Sequence, residues 1–442
     1  MLFSSMVRIV SRYMKGDRFM TLDVSSKLKE RKERIERVLT GKKPDRVPFM
    51  PSFHYFPARY IGVSYADYSS DYKLYSKAVI TVYRDFDFDL AGLALPGAGM
   101  TLPLNFIFTK WYPDLASTIF TIARPFHDIL RDKYTRWPGK ELPPNAPAQF
   151  IGGKFMDAEE YNELAKNPIE FISKKIIPRA YEALKDPASP ESYGALIKFG
   201  IEVARFKGVL MELMTKLREI GYPTYPSGFG YAPLDFIADH LRHITHTLTD
   251  LYRYPNKVRR ALDALTPLIV KWSKATVSLP PGTLEVFDIK IPLAFIPLHL
   301  NEMIPPKFFR EFYWEPLKKV VIELVNAGAI PWIFYEGDFT PFLEYILELP
   351  KGKTIAYFER TNLKKAREVL GDHAIIMGGI SPAHCIHGTP EKVFNEACKL
   401  LSDVKEPGGF IFAGSGVSGI PDETKPENLR ALIEAVKKCG TY

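Results

Sequence analysis

From residue 285 onward the chain alternates short apolar runs with amphipathic helical patterns, and few architectures satisfy that alternation. The runs are 285–297, 329–338, 354–359, 374–381 and 409–415, each rich in β-branched or aromatic residues and closed by small or polar ones. Such continuously apolar runs read as strands buried on both faces. Helical patterns lie between or after them at 307–328, ending at Gly328, and 361–371, ending at Gly371. Two more start at Thr389-Pro390 (390–403) and Lys425-Pro426 (425–440). Proline at the first turn and glycine after the last are the expected stop and start signals. Strand and helix in turn predict βα units, a parallel sheet and, from their number, an α/β fold of the (β/α)8 TIM-barrel type.

The first half supplies the remaining pieces. Residues 22–41 read as a charged amphipathic helix stopping at Gly41, followed by a turn at Pro44-Asp45-Arg46 and a first strand at 47–50. A second apolar run covers 86–95. Residues 96–225, rich in Pro, Trp and Tyr with short helical pieces such as 168–185, fit the alternation poorly and read as an insertion capping one end of a single-domain barrel, 1–40 being an N-terminal helical extension. A length of 442 residues suits one barrel with insertions.

Charge narrows the function classes. Lys and Arg number 59 against 51 Asp and Glu, a surplus of +8 that is diffuse apart from a basic first fifty residues, with no basic stripe interleaved with stacking aromatics. Nucleic-acid binding is therefore not expected. Arg8, Arg12, Lys15 and Arg18 interrupt the first twenty residues, so no secretory signal is expected, and the nearest long apolar segment elsewhere is broken by Lys110 and Asp114, so no membrane span is expected. Cysteine occurs at 385, 398 and 439 only, which argues against a disulfide framework and for a cytoplasmic, reducing setting.

In a barrel, chemistry gathers at the carboxyl ends of the strands. That rule places His54, His299, Glu336, Asp338, Glu359, the His384-Cys385-His387 group and Ser415 around one mouth.

The opening GKKPDRVPFMP (41–51) and the tail blocks resemble the uroporphyrinogen decarboxylase superfamily. The tail blocks are PLHLNEMIPPKFFREFYWEP (297–316), FYEGDFTPFLEYILELPKGK (334–353), GTPEKV (388–393), GGFIFAGSG (408–416) and KPENLRALIEAVKKCG (425–440). The resemblance implies one of two activities: cofactor-free decarboxylation of a tetrapyrrole, or zinc-dependent methyl transfer between a small molecule, a corrinoid protein and a thiol. The arginine-rich opening of the decarboxylases is absent, since 52–62 reads SFHYFPARYIG with only Arg59, and the resemblance leans to the methyltransferases. Their zinc is held by a His-x-Cys pair and a later Cys. The pair falls on Phe334-Tyr335-Glu336, so Glu336 inherits the position and Cys398 matches the later thiolate.

Zinc would act as a Lewis acid on the leaving atom and takes three protein ligands with one open position. The expected set is Glu336, Cys398 and one of His384, Cys385 or His387, with His384 foremost. Glu336 and His299 are the expected catalytic groups, and His54, Arg59, Asp338 and Glu359 the expected substrate contacts. His240, His243 and His246 stand at steps of three, the outer two about 120° apart on a helix, and form an alternative metal stripe or a polar helix face. Cys398 in NEACKLL is equally a buried helix residue, and the 381–390 loop an exposed one with incidental histidines. The aromatics Trp332, Phe334, Tyr335 and Phe339 around Glu336 suit a bulky or aromatic ligand, or simply a core.

The leading hypothesis is methyl transfer from a small methylated compound to a corrinoid carried by a partner protein. The alternatives are a decarboxylase using Asp87 or Asp89 with Arg59, and a barrel that binds a tetrapyrrole or corrinoid without turning it over.

Overall fold

The computed structural model describes residues 22–92, 97–118, 121–414 and 419–442. Six parallel strands run in consecutive order: β1 (Ser227–Phe229), β2 (Leu293–Leu298), β3 (Ile330–Tyr335), β4 (Ile355–Phe358), β5 (Ile375–Gly378) and β6 (Phe410–Phe412). Residues 47–50 continue the ring beyond β6, with Met50 N–H donating to the Phe412 carbonyl and Phe412 N–H to that of Pro48. Residues 88–91 lie next, Asp89 N–H donating to the Phe49 carbonyl. The Tyr225 hydroxyl donates to the Ala91 carbonyl just before β1 and completes the circuit. The result is the expected TIM barrel.

β2 to β5 are buried at every position, which is why they read as unbroken apolar runs. Ile296 packs outward with Leu324, so its neighbour Phe295 points inward. Phe295 meets Trp332 at a centroid distance of 5.1 Å and Phe334 meets Tyr357 at 4.8 Å, an aromatic plug filling the barrel.

The principal helices are α1 (Leu22–Leu39), α2 (Tyr72–Asp85), α3 (Pro190–Glu219), α4 (Pro255–Val277), α5 (Glu315–Asn326), α6 (Leu363–Leu370), α7 (Pro390–Val404) and α8 (Pro426–Cys439). Asp71, Ser189, Asn362 and Thr389 cap α2, α3, α6 and α7 with side-chain oxygens. α1 docks through charge: Arg34 reaches Asp45 and the buried Asp89, and Arg31 reaches Asp87.

Two expectations are corrected, and a third falls partly outside the described residues. The 285–297 run contributes a strand only from Leu293, because Asp288 turns aside to accept from Thr224 and Arg218. Of the 86–95 run, residues 93–95 lie outside the described residues, as does Ser415. Within 96–225 stands a 30-residue helix, α3, rather than short pieces alone. Among the described residues no helix is long and apolar enough to cross a membrane.

Candidate active site

Strand register brings three side chains to one level. Leu298 pairs with Tyr335 and Tyr335 with Phe358, so the residues one step beyond, His299, Glu336 and Glu359, stand abreast at the carboxyl ends of β2, β3 and β4. Strand alternation gives them the inward face already carrying Phe295, Trp332, Phe334 and Tyr357.

The segment after β1 adds two buried carboxylates. Asp235 Oδ2 accepts from the His299 amide (3.0 Å) and the Tyr313 hydroxyl (2.8 Å), while Oδ1 accepts from the Leu300 amide (3.1 Å). Asp239 Oδ2 accepts from the Tyr231 hydroxyl (2.6 Å) and lies 2.8 Å from His299 Nδ1. The other ring nitrogen, Nε2, lies 3.6 Å from Glu336 Oε1. His299 thus stands between two carboxylates, one deep and one at the rim.

Electrostatics follow from that geometry. Burial alone would lower the His299 pKa, but Asp239 and Glu336 outweigh it and hold the ring well above its usual value. Burial raises Glu336 to about 7, with Glu359 and Asp239 adding to the rise and His299 opposing it. Burial also pushes Asp235 up, and the negative charge of Asp239 reinforces this. Asp239 goes the other way: burial raises it, yet the His299 charge and hydrogen bond bring it below the usual carboxylate range. Near neutral pH the cluster therefore holds a cationic imidazole beside a carboxyl group poised to give or take a proton.

The loop is shaped around this group. Glu359 Oε2 accepts from the Gly337 amide at 2.7 Å, and Asn301 donates to the Glu336 carbonyl at 2.7 Å. Gly337 has φ +69°, a conformation that favours glycine, and a Cβ there would displace the Glu302 carboxylate.

A family model described as uroporphyrinogen decarboxylase (URO-D) matches residues 168–439. The chain belongs to the uroporphyrinogen decarboxylase family. Its curated relatives include uroporphyrinogen decarboxylases of Coxiella burnetii, 25% identical over 190 residues (42% of this chain, 49% of the relative), and of Chlorobium luteolum, 27% identical over 194 residues (42% and 51%). The chain thus spans about half the length of the curated relatives it matches. Among solved structures, a methyltransferase from Methanosarcina mazei superposes with a TM-score of 0.57 at 16% identity, covering 92% of this chain and 98% of that one, which shows a shared fold.

Against this family member's geometry the expected zinc set does not assemble. Cys398, on α7, is bonded to Cys439 at the end of α8. Cys439 is followed by Gly440, whose carbonyl accepts from Val47 at the start of the first stave, so the pair sits at the amino end of the barrel, opposite Glu336. His384, Cys385 and His387 fall on the short helix Pro382–His387 beyond β5. Cys385 is buried there, its thiol pushed up to about 12 by desolvation. Among the described residues no group of three or more His, Cys, Asp or Glu is arranged to hold a metal ion. The residues present do not fit the expected zinc. The bonded pair also corrects the expectation of free thiols.

The histidine stripe is broken as well. The helix turns over at Arg242 and His243, whose φ is +67°, so His240 faces inward, fully buried among Tyr134, Phe150, Tyr231 and Phe236 with neither ring nitrogen hydrogen-bonded. Burial lowers it to about 4. Asp239 and Asp250, four residues from His243 and His246 in sequence, pair elsewhere: Asp239 with His299, and Asp250 with Arg242 and Tyr161.

Other expected contacts are dispersed. His54 lies 3.3 Å from the Gly97 carbonyl, lowered to about 4 by burial. Arg59 is exposed, beside Tyr65 and Asp422. Asp338 is exposed and accepts from the Thr340 amide as a local turn. Asp87 and Asp89, the acids of the decarboxylase alternative, are engaged by Arg31, Lys437, Arg34 and Arg46 at the amino end, away from the mouth. Sequence reasoning missed Asp235, Tyr231 and Tyr313. The GFGYAP stretch (228–233), whose glycines close a short strand just before Asp235, was the available signal.

Proposed function

We propose that this family member transfers a methyl group from a small neutral or cationic methylated compound, with Glu336 as general acid. The observation that carries the reading is His299 held between Asp239 at 2.8 Å and Glu336 at 3.6 Å on the inward face of the mouth. In the transfer, the bond from methyl carbon to donor heteroatom breaks, and its electron pair stays on the heteroatom. The carbon bonds to the acceptor nucleophile, and Glu336 delivers its proton to the departing heteroatom. For a neutral donor, protonating the leaving atom removes the negative charge that would otherwise build there, a contribution of about 10²–10⁴ in rate for a well-placed acid. A cationic donor departs as a neutral atom and does not need that proton to leave. The charged His299 stabilises the carboxylate left behind. Asp239 fixes the ring that does so. The methyl acceptor in this reading is a corrinoid carried by a partner protein, as the resemblance of the tail blocks to the zinc-dependent methyltransferases implies.

Charge supports this substrate class. Asp235, Asp239, Glu336 and Glu359 surround a single histidine, while Arg360 at the rim is engaged by Glu302. With Asp239 balancing the charge of His299 and Glu336 poised to hold its proton, the cluster offers a polycarboxylate such as a tetrapyrrole acid no net positive charge, which a neutral or cationic donor does not require.

Proton delivery by Glu336 serves a decarboxylase equally, by protonating the carbon that loses CO2, and the curated relatives carry that name. The test is an assay of purified protein with isotopically labelled methyl amines, ethers and thioethers plus a reduced corrinoid, run beside a tetrapyrrole decarboxylation assay. Methylated corrinoid that disappears with Glu336→Gln supports the proposal. Labelled CO2 release without methyl transfer overturns it.

A further inference from the structure

The turn that carries Asp239 departs from ordinary helical geometry throughout residues 237–243. Ile237–Leu241 is a π turn, closed by the Arg242 amide donating to the Ile237 carbonyl at 2.7 Å. His243, at its exit, has φ +67° and ψ 146°, a conformation costly for a residue with a Cβ. His240, between them, is buried with no hydrogen bond to either ring nitrogen. A wide turn of this kind is rare in helices and gathers at functional sites. It also ends its helix, and carbonyls at a helix end need donors from outside.

Those donors come from the insertion. Thr135–Arg136 pairs antiparallel with Gln149–Phe150, and the Ile151 amide donates to the Tyr134 carbonyl, so 134–156 is built on one hairpin. Tyr134, fully buried, donates its hydroxyl to the His240 carbonyl at 3.0 Å. Phe155 and Met156 both donate their amides to the Leu241 carbonyl, at 2.8 and 2.9 Å. Arg242 returns the contact, reaching the Met156 carbonyl at 3.2 Å while Asp250 holds its Nε at 2.7 Å. Gly152, at φ +63°, passes so close that a Cβ would stand 3.2 Å from the Asp239 carbonyl. The family model begins at residue 168, so this hairpin lies outside the part of the chain that it matches.

We propose that the 134–156 hairpin clamps the 237–243 turn and that Tyr134 is a positioning residue for His299, acting through Asp239. Backbone in a sparsely populated conformation persists only where its surroundings over-determine it, and here one segment supplies the contacts that do so. Asp239 lies inside the turn, so its 2.8 Å contact with His299 Nδ1 depends on the turn keeping its shape. Releasing the His240 carbonyl lets the turn relax toward an ordinary helix and draws Asp239 away from the ring. His299 then keeps Asp235 at its amide, Tyr231 beside the ring and Glu336 at Nε2, but loses its nearest charge. The inference rests on the assignment of His299 and Glu336 as the working pair.

The experiment follows the His299 ring by NMR titration of the full chain in wild type, Tyr134→Phe, Asp239→Asn and the double variant. It needs no methyl donor, so its outcome is independent of the transfer assay. Tyr134→Phe keeps the aromatic ring and deletes only the hydroxyl. Its His299 midpoint is expected about 1 pH unit below wild type, the size of a weakened contact with an opposite charge. The same change made in Asp239→Asn is expected to add no further drop, because the route through Asp239 is already gone. An unmoved midpoint in Tyr134→Phe overturns the proposal, and so does an equal drop in both backgrounds. Should circular dichroism show Tyr134→Phe unfolded, Gly152→Ala, which presses on the Asp239 carbonyl from the same hairpin, takes its place. A lowered midpoint there supports the clamp, and an unmoved one overturns it.

Discussion

The imidazole of His299 spans Asp239 and Glu336, with Nδ1 2.8 Å from the first and Nε2 3.6 Å from the second, so the protonation of each group depends on the other two. The deep carboxylate is held by Tyr231 and is closed to solvent, while the rim carboxyl is partly open. This asymmetry separates a positioning group from one that touches substrate.

Glu336→Gln removes the transferable proton but keeps the shape of the side chain. Turnover should fall by about 10²–10⁴ with little change in KM, while His299→Asn should give a comparable loss. Steady-state kinetics check both, and a full-rate Glu336→Gln enzyme contradicts the assignment.

Asp239→Asn keeps a hydrogen-bond acceptor for His299 but deletes the charge that lifts its pKa. The ring should then titrate at lower pH, and turnover should fall about 10–100-fold, in line with losses of orienting partners elsewhere. An NMR titration of the His299 ring reads the first effect separately from the second.

Stability should vary with pH through Glu336. Its folded pKa of about 7 lies above the ordinary 4.5, so the folded chain retains a proton the unfolded chain has released. The resulting stability is present below pH 4.5 and is lost as pH rises through 7. Glu336→Gln, with no proton to lose, should match wild type at pH 4 and exceed it at pH 8 by about 1–3 kcal/mol. Denaturant melts at the two pH values measure this, and a variant less stable at pH 8 contradicts it.

Cys398→Ala should cost stability rather than activity. The bond to Cys439 closes a separation of 41 residues between α7 and α8, a loop for which about 2–4 kcal/mol is typical. Thermal unfolding with and without reductant should show the loss in wild type only. Activity lost together with bound zinc in Cys398→Ala would restore the metal reading.

The later half of the barrel was legible because β2 to β5 are buried on both faces and their helices carry proline and glycine punctuation, as at Thr389-Pro390 and Gly328. β1 was not: Ser227–Phe229 has three residues, one a glycine, and no apolar run to find. His299, Glu336 and Glu359 could be named from strand ends alone, since each follows its strand directly. Asp235 and Asp239 could not, because their role depends on a helical turn packing its acids beside the carboxyl end of β2. Cys398 misled because a ligand-type side chain on a barrel helix shows its type in sequence but not which end of the barrel it faces.

The central claim is that the Glu336 carboxyl titrates near neutral pH beside a charged His299. Carbon-13 NMR of glutamate side-chain carboxyls, with Glu336→Gln to assign the signal, measures it directly. The account predicts a Glu336 midpoint near 7, and a midpoint near the ordinary 4.5 would contradict it.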